Sequence, residues 1–109
     1  MSASAATVLD AARTTGTMIA TAESCTGGMI AAALTEVAGS SAVVDRGFVT
    51  YSNEAKTEML GVPAELIANH GAVSAEVVES MVAGVVANSR ANLSVAVSGF
   101  ECPVGCCEE

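Results

Sequence analysis

Two potential nucleophiles, a threonine and two glycines stand together at residues 24–28, in the stretch AESCTGG. The apolar run TMIAT precedes them and the helix-forming run MIAAALTEVAG follows, so they lie at a predicted strand-to-helix turn. Ser24 or Cys25 would supply a nucleophile, and N–H groups around Thr26, Gly27 and Gly28 would hold an oxyanion or a phosphate. The structural alternative is a helix cap by the serine or threonine and close packing by the glycines.

A serine nucleophile needs a base, and the chain offers two candidates. His70 is the single histidine, between two predicted helices beside a glycine turn, and we interpret it as a surface or capping residue. Lys56 follows a predicted strand, and a lysine withdrawn from water has a lowered pKa and accepts a hydroxyl proton. The pattern favours a Ser24–Lys56 pair and ranks Cys25 second as nucleophile. A solvated helix lysine is the alternative for Lys56.

Short apolar runs alternate with helix-forming segments along the chain, which is typical of a layered α/β fold with at least partly parallel strands. Strands are predicted at TMIATA, at VVDRGFVTY with an irregularity at Gly47, and at ANLSVAVSG, the first and last being buried. Predicted helices cover residues 4–14, 28–39, 52–60, 63–70 and 75–90, and the last carries an apolar stripe of Val77, Val78, Met81, Val82, Val85 and Val86.

Ligands of α/β sheets bind beyond the carboxyl ends of the strands. Three predicted strands end in polar residues: at Ser24–Gly28, at Tyr51–Lys56 and at Ser98–Gly99. We therefore expect these segments to form one site. Tyr51 as an edge-strand aromatic with its hydroxyl in water is the structural alternative for that residue.

Composition excludes several classes of partner. With 109 residues the chain is one domain at most, and its net charge of −8, from four basic and twelve acidic residues, predicts no nucleic-acid binding. No apolar run has membrane-spanning length and the N-terminus lacks a signal-peptide pattern, so we expect a cytoplasmic protein without membrane contact. Cys102, Cys106 and Cys107 crowd the last eight residues without a second ligand pair, so we expect neither a disulfide framework nor a metal.

Three longer motifs carry a resemblance to a known family: TAESCTGG, AGSSAVVDRGFVTYSNEAKTEMLGV and HGAVSAEVVESM. They closely resemble the C-terminal domain of the CinA (competence/damage-inducible) family, from about Met18 to Gly99. The resemblance implies a three-layer α/β/α sandwich with a mostly parallel sheet, usually oligomeric. Stand-alone domains of this family are nicotinamide-nucleotide amidases, which hydrolyse nicotinamide mononucleotide to nicotinate mononucleotide and ammonia in pyridine-nucleotide recycling, with no metal or other cofactor.

The resemblance also implies roles for residues of this chain. The family nucleophile falls on Ser24, the catalytic lysine on Lys56, the active-site tyrosine on Tyr51, and a strand-end hydroxyl residue on Ser98. The lysine takes the serine proton, the serine attacks the amide carbon, ammonia leaves and water hydrolyses the acyl-enzyme. N–H groups around residues 26–28, with Tyr51 or Ser98, hold the oxyanion or orient the substrate.

The chain departs from the family pattern after Gly99. The family continues with AGPGG, a spacer and KPVGTV, followed by further strands and a last helix, whereas FECPVGCCEE stands here. We therefore expect a single domain over residues 1–109 that is incomplete after about residue 99, with the C-terminal strands and helix missing. An uncovered sheet and a mean hydropathy of +0.53 predict a homo-oligomer. The alternative to an amidase is a non-catalytic or nucleotide-binding remnant that self-associates or binds a partner.

Overall fold

The structure is a computed structural model that describes residues 2–99, with the side chains of residues 4–99. In chain order the helices and strands are α1 (Ser2–Thr15), β1 (Ile19–Glu23), α2 (Met29–Thr35), a short 3₁₀ turn (Ser40–Ala42), β2 (Val44–Val49), α3 (Asn53–Leu60), α4 (Ala64–His70), α5 (Ala75–Ala87) and β3 (Leu93–Val97).

The three strands form one parallel sheet in the order β2–β1–β3. All five residues of β1 are buried, as expected for a short apolar strand with neighbours on both sides. At the carboxyl end, the Ser24 N–H donates to the Val97 carbonyl (3.1 Å) and the Thr50 N–H donates to the Glu23 carbonyl (2.9 Å). These two bonds bring the segments that follow the strands to one edge of the sheet.

Alternate residues of β1 face two different helix layers, because successive side chains of a strand point to opposite faces. Ile19 packs in one apolar cluster, and Ala20 and Ala22 pack in the other. The first cluster also contains Ala5, Leu9, Ala12, Leu34 and Val43, and the second contains Leu60, Val62, Ile67, Val77, Met81, Val85 and Ala91. Helices α1 and α2 thus cover one face and α3 to α5 the other, which confirms the predicted α/β/α fold class.

The approach of α5 to α3 depends on a glycine. A Cβ on Gly84 would overlap the Leu60 carbonyl oxygen and lie 2.8 Å from the Leu60 Cβ. The missing side chain therefore lets α5 pack directly against the C-terminal end of α3. This contact contributes to holding α3, and with it Lys56, at the sheet edge.

Not every residue of the α5 stripe is buried, and the prediction that β3 is a buried strand is wrong. Of the six-residue stripe on α5, Val77, Met81 and Val85 are fully buried, but Val86 is exposed. Strand β3 is not a buried strand, since Leu93 and Val95 are 44% and 39% exposed. Among the described residues β3 pairs with β1 alone and is an edge strand, so apolar composition could not reveal its position in the sheet.

The details of β2 and α2 also differ from the prediction. The irregularity of β2 lies at Asp45, which is skipped between the pairs Ile19–Val44 and Ala20–Arg46. Its carboxylate accepts the Arg90 N–H at 3.0 Å, a contact that favours the extra residue there. Helix α2 ends at residue 35 rather than near residue 39. At this end the Thr35 hydroxyl donates to the Ala31 carbonyl at 2.8 Å.

Candidate active site

A contact between Lys56 and Ser24 forms the centre of the candidate site. The Lys56 Nζ lies 3.3 Å from the Ser24 Oγ, within hydrogen-bonding distance, although 32 residues separate the two in the chain. Lys56 is only 1% exposed, and this burial lowers the pKa of its ammonium group from the ordinary value of 10.5. The alternative of a solvated helix lysine is therefore wrong. A buried lysine with a lowered pKa has an increased fraction of the neutral amine that can accept a serine proton.

Local structure places Lys56 in the first turn of α3. Ser52 is the N-cap of this helix, and its Oγ accepts the Ala55 N–H at 3.0 Å. The Lys56 N–H in turn donates to the Ser52 carbonyl at 3.2 Å. Strand β2 ends two residues before Tyr51, so α3 begins close to the carboxyl edge of the sheet. Lys56, in the first turn of α3, therefore lies near Ser24, which follows β1 at the same edge.

Ser24 follows the central strand directly and is itself buried. Its N–H is bound to β3 through the Val97 carbonyl, and its carbonyl accepts the Gly27 N–H at 3.1 Å. The nucleophile candidate therefore sits in a tight turn. Gly27 and Gly28 have φ values of 60° and 108°, in the left-handed region that favours glycine.

Glu23 is the residue that the sequence analysis missed. It is 1% exposed, and its carboxylate accepts four hydrogen bonds. These come from the Thr26 hydroxyl (2.6 Å) and from the N–H groups of Gly28 (3.1 Å), Ile30 (2.9 Å) and Ala31 (2.8 Å). A glutamate as the last residue of a buried strand, before a Gly-rich turn, was the available sequence signal.

The four donors keep this carboxylate ionised. Burial by itself would raise the pKa of Glu23, but the hydrogen bonds from Thr26, Ile30, Ala31 and Gly28 outweigh it, so that its pKa is lowered from 4.5. The carboxylate also lies at the N-terminus of α2, where a negative charge interacts favourably with the helix dipole. It thus caps α2, a role that the sequence suggested for Ser24 or Thr26.

A cleft of about 410 Å³ opens over the serine and the lysine. This volume lies within the range of small-molecule sites. Its lining residues are Ser24, Cys25, Tyr51, Ser52, Asn53, Lys56, Ala72, Val73, Ser98 and Gly99. Three strand ends and the α4–α5 loop therefore contribute to one cleft.

Four of the seven predicted site residues line this cleft: Ser24, Lys56, Tyr51 and Ser98. Tyr51 is more than half exposed, and the Ser98 hydroxyl donates to the Ala72 carbonyl at 3.1 Å, which fixes the α4–α5 loop beside the cleft. Thr26, Gly27 and Gly28 do not line it. The Thr26 hydroxyl and the Gly28 N–H point to Glu23, and the Gly27 N–H points to the Ser24 carbonyl.

The remaining candidates lie elsewhere. His70 ends α4 on the surface, with its Nδ1 3.7 Å from the Glu76 carboxylate, as its interpretation as a surface residue implies. Cys102, Cys106 and Cys107 lie outside the described residues. Within residues 2–99, no three His, Cys, Asp or Glu side chains are grouped as metal ligands would be, and no helix has the length and apolarity to cross a bilayer.

Comparison with known proteins decides the family. The profile of the CinA C-terminal domain matches residues 1–109. The chain belongs to the CinA C-terminal domain family. Nicotinamide-nucleotide amidohydrolase PncC from Escherichia coli K12 is 53% identical over 94 residues, covering 86% of this chain and 57% of that protein. A CinA-like protein from Mycolicibacterium gilvum is 57% identical over 95 residues, covering 87% of this chain and 22% of that protein.

Solved structures of CinA proteins share the fold. The competence/damage-inducible protein CihA from Agrobacterium tumefaciens superposes with a TM-score of 0.89 at 54% identity, over 91% of this chain and 60% of that one. A CinA superfamily protein from Escherichia coli superposes with a TM-score of 0.87 at 31% identity, over 93% of this chain and 59% of that one. The chain thus spans between a fifth and three fifths of the length of these relatives.

Proposed function

We propose that this chain is an amidohydrolase that converts nicotinamide mononucleotide to nicotinate mononucleotide and ammonia. The observation that carries the proposal is the 3.3 Å contact between the buried Lys56 Nζ and the Ser24 Oγ in an open cleft. The substrate is taken from the amidohydrolase name of the Escherichia coli relative. The match to that enzyme covers 86% of this chain at 53% identity, which supports a shared activity.

The proposed reaction begins with neutral Lys56. Its amine accepts the Ser24 hydroxyl proton while the Ser24 Oγ attacks the carboxamide carbon, which forms a tetrahedral oxyanion. The lysine ammonium then returns the proton to the leaving nitrogen, the C–N bond breaks, and ammonia departs from an acyl-serine ester. The same amine then takes a proton from a water molecule whose oxygen attacks the ester carbon. The bond between that carbon and the Ser24 Oγ breaks, and the lysine ammonium returns the proton to Oγ. The acid product loses its proton to solvent as the carboxylate.

We assign the oxyanion donor to Tyr51 rather than to the glycines of the turn. The Gly27 and Gly28 N–H groups already donate to Ser24 and Glu23, whereas the Tyr51 side chain is exposed and lines the cleft. Ser98, which directly follows β3, also lines the cleft and retains hydroxyl lone pairs that can accept from a carboxamide N–H. This assignment makes Tyr51→Phe a variant with reduced turnover.

Ammonia release from nicotinamide mononucleotide tests the proposal. The parent chain should release ammonia, and Ser24→Ala should release none. Ser94→Ala is the matched control, because Ser94 lies on β3 outside the cleft and its hydroxyl donates to the Val82 carbonyl at 3.3 Å. The control should retain the parent rate. A folded parent without ammonia release would refute the amidase proposal.

The same experiment distinguishes the alternative of a non-catalytic remnant. A rise in Tm on adding nicotinamide mononucleotide, without ammonia release, would indicate a nucleotide-binding protein. If nicotinamide mononucleotide causes neither ammonia release nor a rise in Tm, we infer that the chain acts through association with itself or a partner.

We also propose a homo-oligomer that acts in pyridine-nucleotide recycling in the cytoplasm. The exposed apolar side chains of Leu93 and Val95 support self-association, since their strand β3 has one free edge among residues 2–99. Light scattering on the purified chain measures the oligomer, and a monomer at micromolar concentration would contradict it.

A further inference from the structure

The buried carboxylate of Glu23 has four partners, and all four belong to the segment that follows the nucleophile candidate. One oxygen accepts from the Thr26 hydroxyl and from the Gly28 and Ile30 N–H groups, and the other accepts from the Ala31 N–H. Glu23 therefore connects the end of β1 to the first turn of α2 across the loop that contains Ser24.

We propose that Glu23 is a positioning residue, which holds Ser24 in the place where Lys56 can take its proton. The inference rests on the proposed function, because it concerns the same serine and lysine. Glu23 itself does not line the cleft and has no role in the chemical steps.

The backbone of Glu23 supports this role because it belongs to the fully buried central strand. Glu23 is paired with Val49 on one side and with Val97 on the other. Its carboxylate is therefore fixed relative to the sheet, and the four bonds transmit that position to the turn. Lys56, the other member of the Ser24–Lys56 pair, is held independently because it belongs to α3.

The chemistry of the four contacts requires a carboxylate. Every partner is a donor, and an ionised carboxylate is an acceptor at both oxygens. The amide of glutamine would place an NH₂ group against at least one of these donors, with almost no change in volume. Glu23→Gln therefore loses at least the bond to one of the four donors, puts two donors against each other there, and leaves the packing intact.

The carboxylate also occupies the N-terminus of α2. Its oxygens take the N–H groups of Gly28, Ile30 and Ala31, which would otherwise bind an external anion. The phosphate of a nucleotide is consequently not held there. Glu23 itself supplies the negative charge at the N-terminus of α2.

Steady-state kinetics of Glu23→Gln test the inference. We expect kcat for ammonia release to fall roughly 10- to 100-fold, the order of loss that a small misplacement of a reacting group causes. KM should stay within about threefold, because the cleft is otherwise unchanged. The acid limb of the pH profile should have the same pKa as in the parent, because this limb reports the titration of Lys56.

Three further variants separate positioning from stability. Ile19→Val shortens a buried side chain at the other end of the same strand, and it should lower Tm while leaving kcat at the parent value. Thr26→Val removes one of the four donors and should lower kcat by a smaller factor, whereas Thr26→Ser retains the hydroxyl and should restore the parent rate. Equal loss of kcat in Ile19→Val and Glu23→Gln would overturn the inference, and so would an unchanged kcat in Glu23→Gln. Should Glu23→Gln fail to fold, the pair of Thr26 variants decides alone.

A covalent probe distinguishes failure of this inference from failure of the amidase proposal. Modification of Ser24 by a sulfonyl fluoride, followed by intact mass, reports the position of the nucleophile without any substrate. If the parent is modified but releases no ammonia, the amidase proposal fails, and slower modification of Glu23→Gln still supports positioning. Equal modification rates in the two proteins would refute it. A parent that neither releases ammonia nor reacts at Ser24 would overturn both proposals.

Discussion

Replacing Lys56 by methionine should abolish activity and make the protein more stable. Methionine retains most of the buried aliphatic volume of lysine but removes the amine. Lys56 is 1% exposed, and its Nζ makes one hydrogen bond to the described residues, the 3.3 Å contact with Ser24. An ammonium group has three donors, so burial leaves the charged form poorly compensated.

The size of the gain follows from these contacts. A buried polar group without its full set of partners costs about 1–3 kcal/mol, and loss of the bond to Ser24 offsets about 1 kcal/mol of this. We therefore expect Lys56→Met to raise the free energy of unfolding by up to about 2 kcal/mol at neutral pH. With a urea m-value of about 1–3 kcal/mol/M, the midpoint should rise by up to roughly 1 M.

The gain should depend on pH in a defined direction. The pKa of Lys56 in the folded chain lies below its ordinary value of 10.5 because the side chain is buried. Between these two pKa values the unfolded chain binds one more proton than the folded chain, so the stability of the parent rises with pH. Lys56→Met lacks this contribution. Its advantage should be largest below the folded pKa and should shrink as pH approaches 10.5.

Urea unfolding of both proteins from pH 6 to 10, together with ammonia release, measures the prediction. A Lys56→Met protein that is less stable than the parent at every pH would refute the reasoning, because burial of the amine would then carry no cost. A stability difference that grows with pH would contradict the assigned direction of the pKa shift. Retained ammonia release would remove Lys56 from the mechanism.

Three further predictions concern the base, the packing of α3 and its cap. The parent kcat/KM should rise with pH to a plateau, with an acid limb below 10.5, because neutral Lys56 is the reactive form. Activity that falls steadily from about pH 5 to 10 would contradict this. Gly84→Ala should lower the free energy of unfolding in urea by about 1–3 kcal/mol or more, because the new methyl overlaps the Leu60 carbonyl. Val86→Ala, on the exposed face of the same helix, should change it by no more than about 0.5 kcal/mol, and equal effects would refute the packing argument. Ser52→Ala should lower the free energy of unfolding by about 1 kcal/mol, and Ser52→Asp should restore most of this loss. No loss in Ser52→Ala would show that the cap bond to the Ala55 N–H contributes nothing.

Much of the fold was predictable because its signals are local. The apolar run before AESCTGG predicts the buried β1. Either Ser52 or Asn53 is a suitable cap for α3 by sequence, and Ser52 is the N-cap in the structure, as Ser74 is of α5. Alternation of strands and helices predicts a parallel sheet whose carboxyl ends meet. From that arrangement alone, Ser24 and the segment that carries Lys56 belong to one edge of the sheet.

The sequence could not determine which polar groups satisfy one another. The glycine N–H groups of the turn were predicted to bind an oxyanion, but Glu23 and Ser24 are their acceptors in the structure. A hydrogen-bond donor in a sequence has many possible acceptors, and the fold selects one by distance and direction.

Burial was likewise decided by the packing of distant segments. The sequence left Lys56 either solvated or buried, and α3 places it inside the protein, at 1% exposure. In the part of the chain that the structure describes, β3 lies at an edge of the sheet, and Leu93 is exposed despite the apolar composition of the strand. Propensity, capping and turn chemistry act over about one helical turn, so the sequence itself determines where elements begin and end. Contacts between residues 32 apart, such as Ser24 and Lys56, form only when the sheet and the helix layers assemble. The tertiary structure therefore determined the site as a chemical unit, because it alone fixes which side chains lose water and which atoms meet.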